Sequence, residues 1–160
     1  MVETVTGDLF VKANQKFCLV VAEFNEFITS RLAKSATECL MRHGAKENQI
    51  KQIWVPGCFE IPTVASHAAK SAEYSAIICL GCVVRGQTSH YDHVADQVSR
   101  GVGAIGPATG VPAVFGVITA DTLEQAIDRA GAKGGNAGWS AACAAISMAS
   151  VMAKLRGEPA

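Results

Sequence analysis

A chain of 160 residues is long enough to bury a hydrophobic core and too short for two ordinary domains, which predicts one domain over 1–160. Apolar residues make up 49%, aromatics only 6%, and there are 15 glycines, a mixture that fits aliphatic strands, small-residue helices and glycine turns. The 14 Lys and Arg balance the 14 Asp and Glu, so charge excludes an electrostatic footprint for nucleic acid or an anionic membrane.

Met1 to Asn14 carries acids and has no continuous apolar core, which predicts neither a secretory signal nor an Arg-rich transit peptide. This segment, 1–14, stands outside the pattern that follows. Phe17 to Glu23 is a short apolar run that reads as a buried strand. Ile28, Leu32, Ala36, Cys39 and Leu40 then recur at helical spacing up to His43-Gly44, where glycine closes a helix. Ile50 to Val55 is the next strand, stopped by Pro56-Gly57, and a small-residue helix through Ala65, Ala68 and Ala69 follows Pro62. Ser75 to Val84 is the most hydrophobic strand and is expected at the centre of a sheet. Gly86 to Ser89 forms a polar turn, His90 to Ile105 a helix and Val111 to Thr119 a fourth strand. Asp121 and Glu124 have the spacing of a capping box before Ala126, Ile127 and Ala130. After a glycine-rich break at Gly131 to Gly135, a last helix runs from about Gly138 to Leu155. Within it, Ala141 to Ala153 falls short of the roughly 18 to 20 apolar residues of a membrane span.

Strands alternating with helices at this spacing predict right-handed βαβ units. The expected fold is a three-layer α/β/α sandwich around a four-stranded parallel sheet, the flavodoxin-like arrangement. The 6 cysteines sit in apolar runs rather than polar loops, which favours buried free thiols in a reducing cytoplasm over a disulfide framework. Cys79 and Cys82 match C-x-x-C, but they end a strand, where i and i+3 point to opposite faces. No redox or zinc role is expected of them.

Ligands of doubly wound sheets bind beyond the carboxyl ends of the strands, and those ends gather polar and aromatic residues here. Gly86, Gln87 and Thr88 precede a helix, so they either offer amides to an anion or simply cap the helix. His90 follows as a group that exchanges protons near neutral pH, or as a surface histidine. His90 and His93 at i, i+3 lack an evident third ligand and make a poor metal site, so no metal is expected. Phe24 is either an aromatic face for a planar heterocycle or a core residue. Glu60 otherwise reads as a solvated acid, and Arg129 as an exposed helical cation.

Five segments change the balance. FNEFIT (24–29), PGCFEIP (56–62), LGCVVRGQTSHYDHV (80–94), FGVITADTLEQAIDRAG (115–131) and KGGN (133–136) resemble, in order and spacing, the signatures of the lumazine synthase family. The resemblance implies a cofactor-free condensation of a ribitylamino-pyrimidine with a four-carbon sugar phosphate in riboflavin biosynthesis. It implies that His90 moves protons and that Gln87, Thr88 and Arg129 hold phosphate. It assigns the pyrimidine and its ribityl chain to Phe24, Asn25, Cys58, Phe59, Glu60, Cys82, Val83, Val84, Phe115 and Lys133. It departs at Ala137, where the family often carries a basic residue.

The resemblance further implies a homo-oligomer whose sites are shared between neighbours in a pentamer, with Phe24, Glu60 and His90 from one chain and Phe115, Arg129 and Lys133 from the next. The short turn at Gly131 to Asn136 favours assembly of pentamers into an icosahedral 60-mer, and residues before Phe17 would then pair with a neighbour's sheet edge. Neither a nucleic acid nor a membrane is expected as a partner. The alternative is a non-catalytic flavin- or lumazine-binding protein on the same scaffold, which would need Phe24 and Glu60 but neither His90 nor Arg129. A nucleotide-binding domain of the same fold class lacks its G-x-G-x-x-G or P-loop after the first strand.

Overall fold

The computed structural model describes residues 1–159. Four parallel strands, β1 (Phe17–Ala22), β2 (Ile50–Val55), β3 (Ala76–Val84) and β4 (Ala113–Ala120), form one sheet in the order β2-β1-β3-β4. Phe17 lies opposite Ile50 of β2 and Ala76 of β3, and Ile77 lies opposite Ala113 of β4. The helices are α1 (Glu26–Arg42), α2 (Ile61–Lys70), α3 (His90–Thr109), α4 (Leu123–Arg129) and α5 (Ala137–Leu155). This is the expected three-layer, flavodoxin-like α/β/α arrangement.

The period of two along the buried strands divides the core. Phe17, Leu19 and Val21 of β1 and Ile78, Leu80 and Cys82 of β3 pack with Leu32, Ala36 and Leu40 of α1 and Ala142, Ala145 and Ile146 of α5. Cys18, Val20 and Ala22, with Ile77 and Cys79, meet Ile61 and Ala65 of α2 and Val98 and Val102 of α3 on the other face. Cys79 and Cys82 therefore do point to opposite sides, and all six cysteines are free. Of the strands, β1 is buried at every position, the composition expected of an aliphatic strand covered on both faces.

Helix α5 is 19 residues long and, by length and composition, apolar enough to cross a membrane. Its apolar side is instead occupied by α1 and the sheet, and small residues make the approach close. A Cβ on Gly138 would collide with the main-chain carbonyl oxygen of Leu32 in α1. Asn136 caps α5 by accepting from the amides of Gly138 (2.8 Å) and Trp139 (3.3 Å), and its own amide donates to Ala130 O at 3.1 Å.

Strand ends at Ala22, Ala76 and Ala120 differ by one residue from the sequence expectation, and the larger differences begin at the end of α3. Helix α3 continues past Ile105 and through Pro107 before Gly110, left-handed at φ 74°, closes it; a proline in the last turn forfeits one amide bond without stopping a helix that is otherwise packed. Strand β4 accordingly begins at Ala113. The capping box before α4 lies one residue further on than Asp121 and Glu124: Thr122 Oγ1 accepts from Gln125 N at 3.2 Å, and Gln125 Oε1 accepts from Thr122 N at 3.3 Å. Thr122 holds the extended backbone of an N-cap, which frees Asp121 to pair with Arg85.

Residues 1–16 form no strand or helix. They are nevertheless tied to the chain's own surface. Lys154 of α5 donates to Thr6 O at 2.8 Å and pairs with Asp8 at 3.0 Å. Val11 is buried, with its amide on His43 O at 2.8 Å. Gln49, also buried, donates to the carbonyls of Lys12 (2.8 Å) and Gln15 (2.7 Å).

Candidate active site

Strand order β2-β1-β3 means that the connections leaving β1 and β3 diverge to opposite faces, and a crevice opens above the carboxyl ends of those two strands. A cleft of about 700 Å³ lies there. Its floor comes from Cys82, Val83 and Val84 at the end of β3, one wall from Phe24 and Asn25 after β1, and another from Cys58, Phe59 and Glu60 before α2. The fourth side is the turn into α3, with Thr88 and His90. Ten of the residues singled out from sequence are thereby brought around one space.

Local chemistry explains the shape. Asn25 adopts the left-handed conformation, φ 63° and ψ 43°, which asparagine tolerates better than most residues. Its Nδ2 donates to Cys82 O at 2.9 Å, and Phe24 N donates to Pro56 O at 3.0 Å. These bonds pin the β1–α1 turn to its neighbours while leaving Phe24 72% exposed. Phe59, on the opposite wall, is 52% exposed. Two exposed aromatic residues at one cleft offer faces on which a flat ring can stack. A Cβ on Gly81 would stand 2.5 Å from Cys58 Sγ, so only glycine there lets the turn before α2 settle on the sheet.

Glu60 is the N-cap of α2 but makes no capping bond, which keeps its carboxylate available to the cleft it lines. The two thiols are a different matter. Burial, above all, pushes Cys58 up to about 12 and Cys82 up to about 11, so both stay protonated at neutral pH and neither is a nucleophile. Helix α3 starts without a side-chain cap from Ser89, and Thr88 Oγ1 accepts only loosely, from His90 N at 3.3 Å. Capping is thus weak at this turn, and a 20-residue helix points its amides toward the cleft rim.

Gln87 is exposed in the same turn but does not line the cleft. Phe115 and Arg129 lie elsewhere: they line a second groove of about 630 Å³ along the free edge of β4, together with Gln125, Gly134, Asn136 and Ser140. Lys133 is exposed in the α4–α5 turn and lines neither space. Among the described residues no group of three or more His, Cys, Asp or Glu could hold a metal ion.

Sequence reasoning passed over two features. Tyr91 and Val94 complete the cleft wall from α3; the helical spacing of His90, Tyr91 and Val94 was the available signal. Arg85, at the end of β3, pairs with Asp121 at 2.9 Å and Asp92 at 3.3 Å and lies 4.3 Å over the Tyr91 ring. It ties the start of α3 to the β4–α4 turn, and no spacing rule relates these three segments. Residues 14–153 match a family model described as 6,7-dimethyl-8-ribityllumazine synthase.

Proposed function

Because the chain belongs to the 6,7-dimethyl-8-ribityllumazine synthase family, we propose that it condenses 5-amino-6-(D-ribitylamino)uracil with 3,4-dihydroxy-2-butanone 4-phosphate, releasing phosphate and water. The observation that carries this reading is the cleft at the β1–β3 crevice, where open aromatic rings, a free carboxylate, a weakly capped helix start and an imidazole converge. Phe24 stacks on the pyrimidine, and Glu60 accepts from the ribityl hydroxyls. The main chain of Cys58-Phe59 and of Cys82-Val83-Val84, with Asn25 beside it, meets the edges of the heterocycle. Gln87 and Thr88 offer the helix start to phosphate.

The pyrimidine's amine attacks the ketone and one water leaves to give an imine, phosphate is lost by elimination to unmask a second carbonyl, and the ribityl nitrogen attacks that carbonyl, a second water leaving as the ring closes. His90 carries protons to and from these steps. Holding both reactants in register supplies much of the rate.

Arg129 grips the phosphate with its planar fork, Phe115 adds an apolar wall and Lys133 a further polar contact. Within one chain these residues belong to the β4 edge and not to the His90 cleft. That separation supports a site completed by an adjacent subunit, in a pentamer and, given the short turn at Gly131 to Asn136, in an icosahedral shell. Protonated, buried cysteines fit work in the reducing cytoplasm.

The test mixes the two substrates with protein and follows the fluorescent lumazine. A protein that binds lumazine but never forms it favours the non-catalytic alternative. For the shared site, His90→Ala and Arg129→Ala proteins, each inactive alone, are dissociated and reassembled together. If a site spans two chains, random mixing pairs an intact His90 with an intact Arg129 at about one quarter of borders, and activity returns to that order. No recovery in correctly reassembled mixtures refutes sharing.

A further inference from the structure

Helices α1 and α5 bring together two thiols that the proposed chemistry does not use. Cys39 Sγ and Cys143 Sγ are 3.4 Å apart, joining positions 104 residues apart in sequence. Cys39 is fully buried, and Cys143 is half-buried at the edge of the helix pair. His43 stands beside them: its Nδ1 is 2.7 Å from Cys39 O and 3.6 Å from Cys39 Sγ, and its ring meets Trp139 edge-on at 6.0 Å. The two helices run close together here, with Gly138 of α5 against the α1 main chain at Leu32.

We propose that Cys39 and Cys143 are a dithiol–disulfide pair that exchanges with small-molecule disulfides of the glutathione type, so that oxidation fastens α1 to α5. A disulfide needs a sulfur separation of about 2.05 Å, and side-chain rotation on adjoining helices can close the remaining gap. The order of events follows from access. Cys143 attacks one sulfur of the small disulfide as its thiolate, the S–S bond breaks, and the first small thiol departs. Cys39 then attacks the Cys143 sulfur, the second small thiol departs carrying the Cys39 proton, and the protein S–S bond forms. Two protein thiols are oxidised by two electrons in all, and one small disulfide is reduced to two thiols. Burial and the neighbouring Cys143 thiol push Cys39 up to about 12, which makes it the second and slower partner.

The experiment treats the assembled protein with oxidised glutathione, denatures it under acid quench and counts free thiols. The expected result is a fall from 6 thiols to two fewer, one cross-linked peptide pair holding Cys39 and Cys143, and full reversal by dithiothreitol. The linked form should melt roughly 5–15 °C higher, as closure of a loop this long predicts. Cys143→Ser should keep all its remaining thiols under the same treatment. The proposal is overturned by glutathione stalled on Cys143 without a cross-link, by a link mapped to other cysteines, by equal thiol loss in folded Cys143→Ser protein, or by a linked form that melts no higher.

Discussion

Replacing Gly138 by alanine isolates what holds the two large helices of one layer together. A Cβ there would overlap the Leu32 carbonyl oxygen and stand 2.8 Å from its carbon and 2.9 Å from its Cα. All three are main-chain atoms of α1, so no side chain can rotate aside. Helix α5 has to withdraw by roughly 1 Å, and a gap of that size forfeits about a quarter to a half of each dispersion contact it opens. The contacts at risk are those of Ala142, Ala145 and Ile146 with Leu32, Ala36 and Leu40. Overpacking of this kind costs about 1–3 kcal/mol. Opposing it is the helix preference of Ala over Gly, at most about 1 kcal/mol, and weaker in a first turn. The clash wins. A net loss of roughly 1–2 kcal/mol lowers Tm by about 2–8 °C at this chain length, read by scanning calorimetry. Gly103→Ala in α3 is the control: a Cβ there meets nothing within 4 Å, so only the helix preference remains and Tm should rise by about 1–4 °C. A Gly138→Ala protein that melts at or above the parent refutes the close-approach reasoning.

Arg85→Ala removes both carboxylate contacts and the cover over Tyr91. Exposed pairs are worth under about 1 kcal/mol, so stability should barely change, while KM for the proposed sugar phosphate rises several-fold as the 86–89 turn loses its tie; Arg85→Lys should not restore it, because one ammonium cannot fork to two carboxylates. An unaltered KM would show that the turn holds its shape unaided. The buried thiols predict alkaline weakening. Cys18 and Cys82 are pushed up to about 11 and Cys39 and Cys58 to about 12, chiefly by burial, whereas unfolded thiols ionise near about 8.5. The native state therefore keeps protons that the unfolded chain releases, so stability is fully present below about pH 8.5 and is lost as pH rises toward the folded values. Urea midpoints measured between pH 8 and 10 should fall, and a midpoint that climbs across that range contradicts the assignment.

Sequence made the layers legible and the site only half so. Aliphatic runs such as Ala76–Val84 and the spacing of Ile28, Leu32, Ala36 and Leu40 carry their own periodicity, and the corresponding elements stand where those patterns put them. The capping box slipped by one residue because Asp121 and Thr122 are both competent caps, and only the turn from β4, together with the pull of Arg85, decides between them. The resemblance assigned Phe24, Glu60 and His90 to one chain and Arg129 to the next, but no spacing in the sequence explains that division. The fold sorts them by strand: the first three reach the β1–β3 crevice, whereas Arg129 follows β4 at the sheet's edge. Strand order is a long-range property, and no local spacing contains it. The same holds for Cys39 and Cys143, which are unremarkable positions in their own helices and meet only because α1 and α5 share a face of the sheet.

That shared face also has a history in time. The apolar side of α1, from Ile28 to Leu40, is completed by α5, which begins only at Ala137. A ribosome adding about 5–20 residues per second needs roughly 5–20 s to travel from the end of α1 to the start of α5. Throughout that interval the nascent chain carries an amphipathic helix and one side of a growing sheet without their cover. Such a chain is open to premature self-association just when many copies are emerging from one message, and it stays open until α5 has been made. Slow synthesis, crowding on polysomes or a frameshift ahead of α5 should therefore be felt as aggregation before the fold is complete.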